Sequence, residues 1–186
     1  MNQRKYLTRN EINKILCATK NGVHAIRDAC LFRLCFFHGL RVSELCHLRL
    51  SDLDIGQKVI YIRRLKNGLS TIQPLTDDVL PFLQTWLKTR ETYRQTDEEQ
   101  QWLFLSQKRC ALSRQQVYCL LRRYGVLAGL EVNPHPHMLR HACGYALADL
   151  GVDTRLIQDY LGHRNIRHTV IYTASNAQRF YGVWQK

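Results

Sequence analysis

At 186 residues, 45% hydrophobic and 23% charged, the chain fits one domain, or one with a small appendage, around a real core. Its 27 Lys and Arg against 15 Asp and Glu leave a formal net charge of +12, which favours nucleic acid over membrane as a partner, although basic structural proteins share such a charge. No apolar run approaches the ~20 residues that span a bilayer, the N-terminus has no signal-peptide core, and seven cysteines without a CxxC pair fit a reducing cytoplasm.

In chain order, Thr8-Arg9-Asn10-Glu11 is a capping-box pattern, followed at helical spacing by Ile12, Ile15 and Leu16. A second helix over roughly 25–38 is apolar on most sides (Leu31, Phe32, Leu34, Phe36, Phe37), which predicts a central place in the core. Gly39 ends it as a C-terminal cap, and a short helix runs from Val42 to Leu48. Residues 58–65 alternate and are β-branched, 71–75 form a second extended piece, and Lys66-Asn67-Gly68 supplies a turn that accepts positive φ. A longer helix is expected over 77–93, then an acidic stretch with Asp97, Glu98 and Glu99 that should face away from a polyanion. Trp102 to Ser106 is a short apolar segment, and helices follow at 113–124, 137–149 and 154–161, with another reaching Tyr172. The expected fold class is α+β, mostly helical, with one small antiparallel sheet.

The positive excess is uneven, because carboxylates are sparse late in the chain. Residues 105–186 hold eleven Lys or Arg and only Glu131, Asp149, Asp153 and Asp159 as carboxylates. Within that region His137 and Arg140, three apart on one helix face, can address a single phosphate, and Pro134 and Pro136 fix where the face begins. Arg41, just after a glycine cap, is aimed by rigid backbone, although it also reads as an ordinary surface pair with Glu44. Gly162 ends the helix that Asp153 caps and sets His163 just beyond it, and Tyr172 lies nine residues further on. Attack on a phosphodiester builds negative charge on the non-bridging oxygens, which guanidiniums complement, and an imidazole can carry the tyrosine proton. A rival reading makes His135, His137 and His141 zinc ligands, but no zincin glutamate lies between His137 and His141, and Arg140 would repel a cation.

Taken together, these motifs resemble the catalytic domain of the tyrosine site-specific recombinases, the λ-integrase family that includes Xer and Cre. Gly39-Leu40-Arg41-Val42-Ser43-Glu44-Leu45 is similar to the family's first motif; His137-x-x-Arg140, Leu161-Gly162-His163 and Tyr172 are similar to its C-terminal one. The stretches from His135 to His141, from Asp153 to Thr169 and from Tyr172 to Asn176 carry a closer resemblance to the short fimbrial phase-switch invertases (FimB, FimE and MrpI).

The resemblance implies that Tyr172 attacks the scissile phosphate to give a 3′-phosphotyrosine. Arg41 and Arg140 would clamp the phosphate, His163 would bond a non-bridging oxygen, His137 would act as general acid/base, and Glu44 would support from behind. Lys66 would protonate the leaving 5′-oxygen. The surrounding Arg63-Arg64-Leu65-Lys66-Asn67-Gly68 departs from the family pattern and leaves Arg64 as an alternative.

No metal, ATP or other cofactor is implied. The implied partners are double-stranded DNA with inverted repeats, further copies of the chain in a tetrameric synapse, and nucleoid-associated accessory proteins, with a cytoplasmic location at the bacterial nucleoid. The chain reads as a single catalytic domain over 1–186, with a short arm at 1–6 and no separate N-terminal clamp domain. A tail helix at 177–186 would dock on a neighbour or pack on its own domain. A type IB-like topoisomerase and a catalytically silent DNA-binding regulator are the competing functions.

Overall fold

The computed structural model describes residues 4–65, 68–93 and 101–174. They form eight α-helices and one three-stranded antiparallel sheet, the mostly helical α+β class that the sequence leads one to expect. Helix α1 (Arg9–Ala18) starts where Thr8 Oγ1 accepts from the Glu11 amide while the Glu11 carboxylate accepts from the Thr8 amide. Its apolar stripe buries Ile12, Ile15 and Leu16. Helix α2 (Ala25–Phe37) is the hub: Cys30, Leu31, Phe32, Leu34, Cys35 and Phe36 are all buried, because the later helices over Leu80–Arg90 and Pro136–Asp149 both pack on it. Gly39, at φ +56°, turns the chain out of α2; a Cβ there would stand 2.4 Å from Leu161 Cδ2, so only glycine lets this turn pack so closely.

Helix α3 (Val42–Cys46) leads to the sheet, whose strands β1 (Leu53–Asp54), β2 (Val59–Ile62) and β3 (Thr71–Pro74) lie in sequence order. Ile60 and Ile62 on one face of β2 are fully buried, whereas Tyr61 on the other is 43% exposed. Two expectations need correction here. Lys58 has φ +54° and falls outside β2, which ends at Ile62 rather than at 65. The two-residue β1, too short to show an alternating pattern, was not expected.

Helix α4 (Leu80–Arg90) begins three residues later than expected, because the Thr76 carbonyl holds the Val79 and Leu80 amides in a turn and Pro81 then opens the helix. The Trp86 indole donates to the Leu103 carbonyl and ties this helix to the short 102–106 segment. Helices α5 (Arg114–Leu127), α6 (Pro136–Asp149), α7 (Thr154–Leu161) and α8 (Arg167–Thr173) follow. Asp153 caps α7 through the Arg155 and Leu156 amides, and Gly162 at φ +66° closes it, both as expected. Cys30, Cys35, Cys46 and Cys143 are buried thiols. No helix among the described residues is long and apolar enough to cross a membrane.

Candidate active site

The site grows from the start of α3. Arg41 is its N-cap residue in extended conformation, and Glu44, three residues on, folds back so that Oε2 accepts from the Arg41 amide (2.8 Å) and Oε1 from its guanidinium (2.7 Å). What looked like an exposed pair is not one: Glu44 is 3% exposed. Arg64 Nη1 reaches Glu44 Oε2 at 2.9 Å and Arg140 Nη1 lies 3.8 Å from the same oxygen. Burial alone would raise the Glu44 carboxyl, but the Arg64 charge, the two Arg41 bonds and Arg140 outweigh it and hold the group below its usual range. Three guanidiniums around one carboxylate leave this end of the site short of negative charge.

Arg140 comes from α6 and is 1% exposed. Its Nη1 donates to the Gly39 carbonyl and its Nη2 to the Leu161 carbonyl (2.7 Å), so it joins the turn after α2 to the end of α7. Desolvation, with Arg41 and Arg64 nearby, brings it down to about 10, still cationic at neutral pH.

The other end is built from α6 and α8. Tyr172, 2% exposed, lies over Gly144, where a Cβ would stand 2.6 Å from the tyrosine ring. Its hydroxyl is 2.9 Å from His141 Nδ1. Tyr145 packs edge-on against its ring at 5.1 Å, and His163 lies nearly parallel at 6.4 Å. Burial pushes the Tyr172 hydroxyl up to about 12, with Arg140 pulling the other way, so the group is protonated and needs an acceptor before it can attack. His163 is held by Thr169 Oγ1 on Nδ1 (2.9 Å) and by Gln158, whose amide side chain donates to the His163 carbonyl (2.8 Å). Burial and then the Arg140 and Arg41 charges lower His163 to about 3; burial, then His137 and Arg140, lower His141 to about 4; His137 is lowered too, first by burial. The imidazoles are therefore neutral near pH 7.

These side chains line one open pocket of about 310 Å³, walled by Arg41, His137, Arg140, His141, His163 and Tyr172, with Arg167 and His168 at its α8 side. Six of the seven residues singled out in the sequence thus gather around one space: five line it and Glu44 braces it. The seventh, Lys66, lies outside the described residues, as does the 177–186 tail. The zinc reading of His135, His137 and His141 finds no geometric support. Among the described residues no three His, Cys, Asp or Glu side chains gather as a metal site, and His141 directs Nδ1 at Tyr172.

Two participants were not anticipated. His141 was weighed only as a metal ligand, yet its i+4 position after His137 puts both rings together, 4.5 Å apart edge to face. Arg64 was an alternative to Lys66, but it is not among the residues walling the pocket, and its guanidinium is turned into the core. The strand alternation holds the signal: Arg64 follows Ile60 and Ile62 on the inward face, while Arg63 follows Tyr61 outward and pairs with Asp52.

The model of the phage integrase family matches residues 5–179. The chain is 55% identical over 184 residues to the type 1 fimbriae regulatory protein FimB of Escherichia coli (strain K12), a match covering 99% of this chain and 91% of that protein. It is 50% identical over 186 residues to FimE of the same strain, covering 100% and 93%. Among solved structures, XerA recombinase superposes with a TM-score of 0.82 at 29% identity, over 94% of this chain and 61% of that one. XerH recombinase bound to its difH substrate before cleavage superposes at 0.77 with 27% identity, over 95% and 52%. The chain thus spans about half to three fifths of those recombinase chains. It belongs to the phage integrase family, as a tyrosine recombinase that cuts and rejoins DNA.

Proposed function

We propose that the chain inverts a DNA segment between short inverted repeats and so switches fimbrial expression. The observation that carries this reading is a buried tyrosine hydroxyl, bonded to an imidazole, in a pocket walled by two guanidiniums whose positive charge is only partly neutralised. Near-full-length similarity to two type 1 fimbriae regulatory proteins supports the biological setting, and the likeness to a recombinase bound to its DNA site supports duplex DNA as the substrate.

In this reading the scissile phosphate enters the pocket and supplies the negative charge that Arg41 and Arg140 lack. In the tautomer whose Nδ1 accepts from Thr169, the His163 proton resides on Nε2 and can be donated to a non-bridging oxygen. Tyr172 Oη forms a bond to phosphorus as the bond to the 5′-oxygen breaks. The tyrosine proton passes to the paired imidazoles, His141 holding the hydroxyl and His137 acting as general acid/base. Lys66 protonates the departing 5′-oxygen. The phosphotyrosine keeps the bond energy, so rejoining to a partner strand needs neither ATP nor a metal ion. Several copies act together on DNA in a tetrameric synapse with nucleoid proteins as accessories, in the bacterial cytoplasm.

A supercoiled plasmid carrying the promoter segment next to the gene, between its two inverted repeats, tests this. Incubation in EDTA followed by restriction mapping should give the fragments of the inverted segment, and scrambling one repeat should abolish them. Relaxation of supercoils on any sequence, with no inverted product even when nucleoid proteins are added, would make the chain a topoisomerase instead.

A further inference from the structure

Arg64 carries an obligation that a residue outside the pocket would not ordinarily have. Its side chain is 0% exposed, and a guanidinium so placed is costly unless its donors are satisfied. Four acceptors do so: Glu44 Oε2 at 2.9 Å, the Gly39 and His38 carbonyls at 3.2 Å each, and the Tyr160 carbonyl at 2.6 Å. Each belongs to the site's scaffold. Glu44 is the partner of Arg41, the Gly39 carbonyl also accepts from Arg140, and Tyr160 stands three residues before His163 in the same turn.

The aliphatic stem is gripped as well. A Cβ at Gly68 would lie 2.7 Å from Arg64 Cβ, and one at Gly162 would lie 2.7 Å from Arg64 Cγ. Gly162 immediately precedes His163, and Gly68 and Arg64 flank Lys66 at two residues on either side. The Nε atom, buried and without a hydrogen-bond partner, lies 3.0 Å from where that Gly162 Cβ would be. The other four N–H groups are each directed at a protein oxygen and Nε is sealed in the interior, so no donor faces a phosphate or a leaving group.

We infer that Arg64 is a positioning residue for DNA cleavage: it locks Arg41, Arg140, the His163 turn and the chain on both sides of Lys66 into one geometry, and transfers no proton itself. The inference rests on the roles proposed above for those residues. Lysine cannot replace it, because a single ammonium can satisfy Glu44 but not the Tyr160 and His38 carbonyls at the same time.

The test uses a nicked duplex carrying the inverted repeat, with either oxygen or sulfur bridging the scissile phosphate to the 5′-carbon. A thiolate leaves without a proton, so sulfur repairs the loss of a proton donor and does nothing for a misplaced phosphate clamp. The full chain, Arg64→Lys, Arg64→Gln and Lys66→Ala are compared in single-turnover cleavage, duplex affinity and thermal melting. Both Arg64 variants should bind within about threefold of the parent and cleave about 10²-fold more slowly on both substrates, the size of loss that misplacement alone produces. Lys66→Ala should be slow on oxygen and restored on sulfur. Restoration of an Arg64 variant by sulfur would make Arg64 a proton donor and overturn the inference. Parental cleavage of the oxygen substrate by Arg64→Lys would overturn it too, as would melting of both variants below the assay temperature, which would make Arg64 a requirement of the fold. If the parent chain itself cleaves neither duplex, the underlying recombinase roles fail, a result distinct from all of these.

Discussion

The two ends of the pocket are built on opposite plans. At the arginine end, Glu44, Arg64 and Arg140 are each nearly sealed from solvent and share acceptors: one carboxylate serves three guanidiniums and one carbonyl serves two. Removing one member of such a buried charge network costs about 3–5 kcal/mol. At the tyrosine end, α8 is seven residues long, and among the described residues the Tyr172 hydroxyl is held by a single hydrogen bond, of a kind worth about 0.5–1.5 kcal/mol, with ring contacts beside it. In the proposed mechanism the groups that would stabilise the transition state are fixed before substrate arrives, whereas the group that would form and later break a covalent bond is held by contacts it can exchange. A clamp gains from preorganisation; a nucleophile that swaps between free and phosphorylated forms does not.

The largest effect expected is at the lightly held end. Tyr172→Phe should abolish the covalent protein–DNA complex on denaturing gels, while melting falls only by what one hydrogen bond contributes, about 1 kcal/mol. Adduct persisting in this variant would move the nucleophile elsewhere and remove one side of the comparison. Next come the arginines. Arg140→Ala and Arg41→Ala should each slow cleavage by about 2.7–4 kcal/mol, the cost of losing one donor to a developing oxyanion. Their stabilities should part company, because the Arg140 side chain is 1% exposed and that of Arg41 is 27% exposed. Thermal melts should show Arg140→Ala clearly the less stable. Equal losses would mean that burial does not distinguish the two arginines.

How much of this was legible depends on whether a feature is local. The capping box at Thr8, the apolar α2, its glycine stop at Gly39 and the Asp153 to Gly162 frame of α7 are each fixed by neighbours along the chain, and each appears where the sequence put it. The start of α4 shifted because a turn at Thr76 competes with the helix, and β1 was lost because two residues carry no periodicity. In the site, Arg41, His137, Arg140, His163 and Tyr172 were found through spacing and resemblance, whereas Arg167 and His168, which also line the pocket, were not. The burial of Glu44 was not, since it comes from Arg64 and Arg140, 20 and 96 residues away in sequence. His141 was visible as a partner of His137, but only the arrival of α8 makes it a partner of Tyr172.

A smaller effect should follow at His141. Glutamine there can still bond the Tyr172 hydroxyl but cannot take up a proton, so His141→Gln should slow cleavage about tenfold, or about 1.4 kcal/mol. His137→Gln, if His137 is the general acid/base, should cost at least about 10²-fold. Single-turnover rates measured side by side decide the order. A reversal, with His141→Gln the slower, would make His141 the group that carries the tyrosine proton.

The last expected effect is on stability, where the tyrosine end should begin to titrate at higher pH than the arginine end, the two windows overlapping below about 4.5. Burial first lowers both groups, joined by guanidinium charge at His163, which falls from 6.5 to about 3, and by His137 and Arg140 at His141, which falls to about 4. The unfolded chain then takes up protons below about pH 6.5 that the folded chain refuses, so this stability is complete above 6.5 and drains away as pH falls towards 4 and 3. Buried His38, lowered to about 4, adds to the same window from outside the pocket. Glu44 acts lower down. Its folded carboxyl stays ionised after the unfolded one has begun to protonate near 4.5, so its share is lost as pH falls from there through the depressed folded value. Melting temperature followed from pH 8 to pH 3 should therefore decline in two stages. His163→Asn should flatten the upper stage in part, since His141 and His38 remain, and leave the lower stage in place. Glu44→Gln should start from a lower melting temperature and shrink the lower stage, to which the lowered Glu11 carboxyl still contributes. A single stage unaffected by His163→Asn would show that the tyrosine end does not store the energy of keeping its imidazoles neutral, and the contrast between the two ends would then rest on hydrogen bonding alone.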